Sequence, residues 1–79
     1  MIRVLFFGPV AEQVGANALQ IEFCKGMRLH DIYEQMQGLY PAAFEIVCFT
    51  AVNGEHTRDV QLPVADNSEV VFMSKFSGG

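Results

Sequence analysis

Ile2 to Phe7 is an apolar run broken only by Arg3 and rich in β-branched and aromatic residues, which predicts a strand whose side chains alternate between two faces. Arg3 belongs in water, so Arg3, Leu5 and Phe7 share the wet face while Ile2, Val4 and Phe6 face the core. Gly8-Pro9 ends the strand. Pro9 to Val14 fits a short helical turn, because proline suits a first helical position, and Gly15 stops it. Ala18 to Phe23 predicts a second strand, with Leu19, Ile21 and Phe23 on one face, Gln20 and Glu22 on the other, and Lys25-Gly26 as the turn that follows. The period then changes. Leu29, Ile32, Tyr33, Met36 and Leu39 fall at helical spacing, with Asp31, Glu34, Gln35 and Gln37 on the outer side. Gly38 is placed as the C-terminal stop of this helix and Pro41 prevents its continuation. Arg28 is a poor N-cap, so that end frays or finds another cap.

Val47 to Val52 is almost continuously apolar, which predicts a central strand. Asn53-Gly54 is a two-residue hairpin turn, and Glu55 to Arg58 reads as a short, polar return strand at an edge. Leu62-Pro63-Val64 leads into a turn at Asp66-Asn67-Ser68, where Asn67 can take the left-handed conformation. Val70 to Ser74 is the last strand. Lys75 marks its wet side, so Val71, Met73 and Lys75 point outward and Val70 and Phe72 inward. The order is strand, strand, helix, strand, strand, strand. One apolar helix stripe can cover one face of a small mixed sheet. The pattern predicts an α+β fold of the β-grasp, ubiquitin-like type, with about five strands on one main helix. Its first and last strands would run parallel, side by side, at the sheet centre.

Seventy-nine residues make a single domain spanning 1–79, with a flexible C-terminal tail at 75–79. At 51% hydrophobic and 18% charged the chain can bury a core. A net charge of −4 argues against nucleic-acid phosphates and anionic membranes as partners and suits a protein partner with a basic surface. The opening residues are too short for a signal peptide and no apolar run approaches membrane-spanning length, so a cytoplasmic location is expected. Cys24 and Cys48 form no C-x-x-C pair and lie in apolar stretches, which predicts free, buried thiols in a reducing compartment. His30 and His56 show no metal-ligand spacing and are expected at the surface, with no metal bound. There is no Gly-rich phosphate loop and no repeat.

With no catalytic constellation upstream, the candidate chemistry is at Ser77-Gly78-Gly79. This ending stands with three other segments: the opening Ile2-Arg3-Val4-Leu5-Phe6-Phe7, the strand end Ala51-Val52-Asn53, and the turn and strand entry from Asp66 to Val71. Together they resemble the ubiquitin-like sulfur-carrier family over the whole chain, and most closely its molybdopterin-synthase small subunits. The resemblance implies that the Gly79 carboxyl is the acyl site. A chain-terminal carboxyl, with a pKa near ~3.5, is ionised and a poor electrophile. An adenylating, E1-like enzyme would use ATP to convert it to an acyl-adenylate. A sulfur nucleophile would then displace AMP and leave a thiocarboxylate. That group would give its sulfur to a substrate in the molybdopterin synthase large subunit or another sulfur-accepting enzyme. ATP belongs to the partner, and no cofactor is expected on this chain. The family's small subunits often carry Pro-Pro where this chain has Ser74-Lys75, and favour Asp-Gly where it has Asn67-Ser68. Other readings remain at this level: a carrier for thiamine or another sulfur metabolite, a protein modifier joined to lysines through Gly79, or a plain interaction module.

A carrier of this kind needs a thin, reachable end and a docking surface. Gly78 and Gly79 lack Cβ atoms and fit a narrow channel. From Lys75 to Gly79 an extended chain spans roughly 17–18 Å. Ser77 can hydrogen-bond a channel wall, and Phe76 is a candidate anchor in a partner. Leu5, Phe7, Val71 and Met73 should form one apolar patch on the open sheet face, with Arg3 and Lys75 at its rim.

Overall fold

Ile2, Val4 and Phe6 are completely buried and alternate with exposed or half-buried neighbours, which makes Ile2–Phe7 the first strand, β1. The computed structural model describes residues 1–75. Along them follow α1 (Pro9–Val14), β2 (Ala18–Ile21), α2 (Leu29–Leu39), α3 (Pro41–Phe44), β3 (Val47–Val52), β4 (Glu55–His56) and β5 (Glu69–Ser74). The sheet order is β2-β1-β5-β3-β4. β1 and β5 run parallel, and the other pairs are antiparallel. This is the β-grasp arrangement, with the first and last strands adjacent in the middle of the sheet.

The inner face of the sheet carries the core. Ile2, Val4, Phe6, Val70 and Phe72 cluster with Leu29, Ile32 and Met36 of α2. Aromatic rings fill the end of this layer. Phe72 stacks on Phe6 at 6.2 Å, meets Phe44 edge-on at 4.9 Å, and lies 6.0 Å from Tyr33. Rings at such distances favour edge-on contact because their faces are negative and their edges positive.

Several elements depart from the sequence reading. β3 is not central: it lies next to the edge, and β5 holds the middle position. Its apolar run is divided between two faces and an open edge, because β4 pairs only with Ala51 and Val52. The return strand predicted over 55–58 is Glu55–His56 alone, and β2 ends at Ile21, although Phe23 still packs against the core. Gly38 does not stop α2. The helix continues through Leu39, the Tyr40 N–H reaches the Met36 carbonyl, and Pro41, which starts α3, ends it. Proline opens a helix as readily as it closes one, since a first-turn N–H has no partner to lose. That explains both the stop and the unforeseen α3. Leu39, assigned to the buried stripe, is 60% exposed in the last turn of α2. Cys24 and Cys48 are free as expected but exposed rather than buried. Cys24 follows the end of β2. Cys48 sits where the β3–β5 register shifts between Val47 and Phe49.

The poor cap at Arg28 is resolved by tertiary contacts. The Arg28 N–H donates to Asp31 Oδ2 at 2.8 Å. The next two N–H groups of the helix, Leu29 and His30, donate to the carbonyls of Leu62 and Val60 at 2.9 and 2.7 Å. Otherwise orphaned first-turn donors are thus satisfied by a loop distant in sequence.

Candidate functional site

The open face of the sheet is assembled by register. Leu5 lies opposite Val71, and Phe7 opposite Met73, across the parallel pair. On the far side of β5, Ala51 and Phe49 stand opposite Val71 and Met73. Leu5, Phe7, Val71 and Met73 are therefore neighbours, as their alternation in sequence predicts. Their exposure is uneven. Phe7 is 45% exposed and Met73 half-buried, but Val71, although it points outward as assigned, is only 8% exposed, a correction to its place in an exposed patch. Val71 occupies the middle strand, where Leu5 and Ala51 cover it from both sides, and a sheet's central positions lose solvent even on an open face.

Phe49 belongs to this face and was missed. It is 41% exposed, and the His56 ring meets it edge-on at 6.3 Å. Its signal was available: Phe49 and Ala51 are two apart, so they share a face. Reading β3 as buried on both sides concealed it. Phe49 also lines a depression of about 430 Å³ where the strand edge meets Leu29 and Tyr33 of α2.

Asn53 positions the face. The sequence places it at a strand end and in a turn, and with Gly54 it does form one, at φ of 51° and 85°. Its side chain does more. Oδ1 accepts from the Glu69 N–H at 2.9 Å, Nδ2 donates to Ser68 Oγ at 3.3 Å, and the Asn53 N–H donates to the Glu69 carbonyl at 2.8 Å. These bonds clip the β3–β4 hairpin to the entry of β5. A shift of one residue there would turn every β5 side chain to the other face.

Charges gather at the opposite end from the tail. Arg3 Nη1 approaches Glu69 Oε2 at 3.8 Å on an exposed surface, a pair worth little in stability. The Met1 ammonium donates to Asp66 Oδ1 at 2.6 Å. That hydrogen bond holds the Asp66 carboxyl below its ordinary range against desolvation, with the ammonium charge and the Asn67 N–H adding to it. His30 and His56 are both exposed, and His30 Nε2 lies 3.4 Å from Glu34 one turn on. Among the described residues no group of three or more His, Cys, Asp or Glu is placed to hold a metal ion. No helix among them is long and apolar enough to cross a membrane.

β5 delivers the chain to Lys75 at the opposite end of the sheet from Asp66, beside the Phe7–Met73 pair. Phe76, Ser77, Gly78 and Gly79, assigned to anchoring, spacing, threading and acyl chemistry, lie outside the described residues, as does most of the tail expected to be flexible.

Known proteins share this architecture and sequence. The ThiS family model matches residues 4–79, through the final glycine. The molybdopterin synthase sulfur carrier subunit of Chlamydomonas reinhardtii is 30% identical, over 99% of this chain and 98% of its own. Three solved structures share the fold. The putative molybdopterin converting factor subunit 1 from Pyrococcus furiosus superposes with a TM-score of 0.82 at 20% identity, covering 92% of this chain and 94% of its own. SAMP1 from Haloferax volcanii gives 0.81 at 18% identity, covering 99% and 98%. The complex of subunits 1 and 2 of the molybdopterin-converting factor from Helicobacter pylori gives 0.64 at 23% identity, covering 99% and 97%.

Proposed function

The chain belongs to the ThiS family, and from that membership we propose that it is a sulfur carrier, the small subunit of a molybdopterin synthase. The observation that carries this reading is the reach of the family match. It runs through β5, the middle strand, and on through Ser77-Gly78-Gly79. The body is a docking module, and the reacting group is the Gly79 carboxyl.

The chemistry divides between proteins. In an E1-like adenylating enzyme, a carboxylate oxygen of Gly79 attacks the α-phosphorus of ATP and pyrophosphate leaves. A sulfur nucleophile then adds to the acyl carbon and expels AMP, which leaves a thiocarboxylate. In the synthase large subunit the thiocarboxylate sulfur passes to the pterin precursor, and hydrolysis restores the carboxylate. This chain supplies no acid or base to these steps. It supplies recognition through Leu5, Phe7, Met73 and Phe49, and a thin end through Gly78 and Gly79. We place this cycle in the cytoplasm, where ATP is available. The Chlamydomonas relative, a synthase sulfur carrier subunit, supports the large subunit as partner. The Helicobacter structure, a complex of two converting-factor subunits, agrees with it.

Intact mass measurement tests the proposal. After incubation with ATP, the cognate adenylating enzyme and a sulfide source, the chain should gain the mass of one oxygen exchanged for sulfur, localised to Gly79. An unchanged mass, or attachment of Gly79 to lysines of other proteins in its place, would overturn it.

A further inference from the structure

Two of the three arginines are engaged. Arg3 approaches Glu69 Oε2 at 3.8 Å, and Arg28 Nη1 donates to the Gln61 carbonyl at 3.2 Å. Arg58 has no hydrogen-bond or ion-pair partner among the described residues. It lines the depression of about 430 Å³ at the open edge of β3, against the apolar side chains of Leu29, Phe49 and Val60. The rest of the polar lining is rich in donors. The Tyr33 and Thr50 hydroxyls make no hydrogen bond among the described residues, and Thr57 Oγ, which accepts from the Asp59 N–H at 3.0 Å, keeps its own proton to donate. No aspartate or glutamate is among the described residues that line the depression. The acids next to it in sequence are placed elsewhere. Asp59 Oδ1 accepts from the Gln61 N–H at 3.0 Å, Glu34 Oε2 lies 3.4 Å from His30 Nε2, and Glu55 alternates with His56 to the other face of β4. A cation without a counter-ion, set among hydroxyl donors, is complementary to a carboxylate.

We propose that this depression receives an aspartate or glutamate side chain of the synthase large subunit, and that Arg58 is the residue that pairs with it. The inference rests on the sulfur-carrier reading and adds to it a residue that sets partner choice. The depression is continuous with the open sheet face. Phe49 stands opposite Met73 and His56 opposite Ala51, so both belong to that face, and both line the depression. A large subunit seated across Phe7, Met73 and Phe49 therefore covers its opening. Arg58 then loses water, and a desolvated charge without a partner is costly, so the large subunit must bring the counter-charge. The net charge of −4 suits a partner surface that is basic overall. An acid on such a surface is favoured only beside a cation of this chain, and Arg58 offers one at the β4 edge of the docking face. The pair thus fixes orientation as well as adding attraction. The guanidinium fork can hold the carboxylate through two parallel N–H···O bonds.

The experiment measures the dissociation constant between the full chain and its cognate synthase large subunit by titration calorimetry, with variants on both sides. Arg58→Gln should weaken binding by about tenfold or more, and Arg58→Glu by about a hundredfold. Arg58→Lys should fall between Arg58→Gln and wild type, because it keeps the charge and loses the fork. The Tm of the free chain should stay the same, since Arg58 has no partner among the described residues. Lys25→Gln removes the same charge from the turn after β2, outside the depression, and should bind as wild type. It separates the pair from an effect of net charge. Acids of the large subunit are then changed one at a time to the corresponding amide. One of these changes should weaken binding of the wild-type chain by about tenfold and have little further effect on Arg58→Gln, the coupling expected of a direct pair. If the wild-type chain forms no complex, the sulfur-carrier reading fails and this inference with it. If the complex forms but Arg58→Gln and Arg58→Glu bind normally, or every acid acts independently of Arg58, the pair is overturned and the carrier reading stands. If Arg58→Gln instead abolishes self-association of the free chain, a second copy fills the depression. If it lowers the Tm of the full chain but not that of a chain ending at Lys75, the chain's own C-terminus fills it. Either result overturns the proposal.

Discussion

Phe6 and Phe7 are adjacent in sequence and point in opposite directions. Phe6 is fully buried among Phe72, Phe44 and Tyr40, and Phe7 is 45% exposed on the open face. Phe6→Ala should therefore destabilise the domain by about 3–5 kcal/mol in a denaturant series, and Phe7→Ala by less than about 1 kcal/mol. Equal costs would mean that β1 presents the wrong face. Asp66 makes a second residue-scale prediction. Its carboxyl is held below its ordinary range by the Met1 ammonium, so the folded state favours the ionised form. A group with a lowered folded-state pKa contributes stability that is present above its unfolded value. That contribution is lost as pH falls through the folded value. Asp66→Asn should thus lower the Tm near neutrality, where that contribution is fully present, and make the fall in Tm shallower on acidification from about pH 4, so that variant and wild type converge in acid. A profile parallel to wild type would remove the ammonium contact from the account.

At the scale of elements, two glycines make opposite predictions. Gly54 has φ of +85° in the β3–β4 turn, and Gly38 is an ordinary position inside α2, with open space around the place a Cβ would occupy at each. Gly54→Ala should cost about 1 kcal/mol through left-handed strain alone. Gly38→Ala should stabilise the chain by about 0.8 kcal/mol, because a helix interior favours alanine. Thermal melts of the pair check both signs. A loss on Gly38→Ala would restore glycine as the helix stop that the sequence suggested. The other end of α2 has the converse lesson. No strong capping residue precedes Leu29, yet the helix starts cleanly because the Val60 and Leu62 carbonyls reach its first donors. Local sequence cannot reveal a cap supplied from a loop so far along the chain.

At the scale of the molecule, the proposed carrier separates a rigid docking body from a reacting end. Deletion of Gly79 should abolish thiocarboxylate formation in the adenylation assay and leave the Tm of the body unchanged, since it lies beyond the end of β5 in the sequence. Gly78→Val should be nearly as severe for sulfur transfer, because a β-branched side chain narrows both the backbone range and the fit in a channel. Normal transfer by either variant would sink Gly79 as the acyl site. A fall in Tm with the deletion would show that the end contributes to the fold.

Much of this organisation is written locally. The alternation of Ile2–Phe7, the helical spacing from Leu29 to Met36 and the Asn53-Gly54 turn each depend on neighbours in the chain, and sequence alone determined them. The resemblance in the closing Ser77-Gly78-Gly79 pointed to the chemistry in the same way. Other features came only from distant partners. Apolar content could not rank β3 against β5, because centrality depends on which strands pair. Val71 is buried by Leu5 and Ala51, residues brought beside it by register. Asn53 as a clip and Phe49 as part of the open face exist only once β5 lies between β1 and β3. Periodicity states which face a side chain takes, and only the packed sheet decides what covers that face.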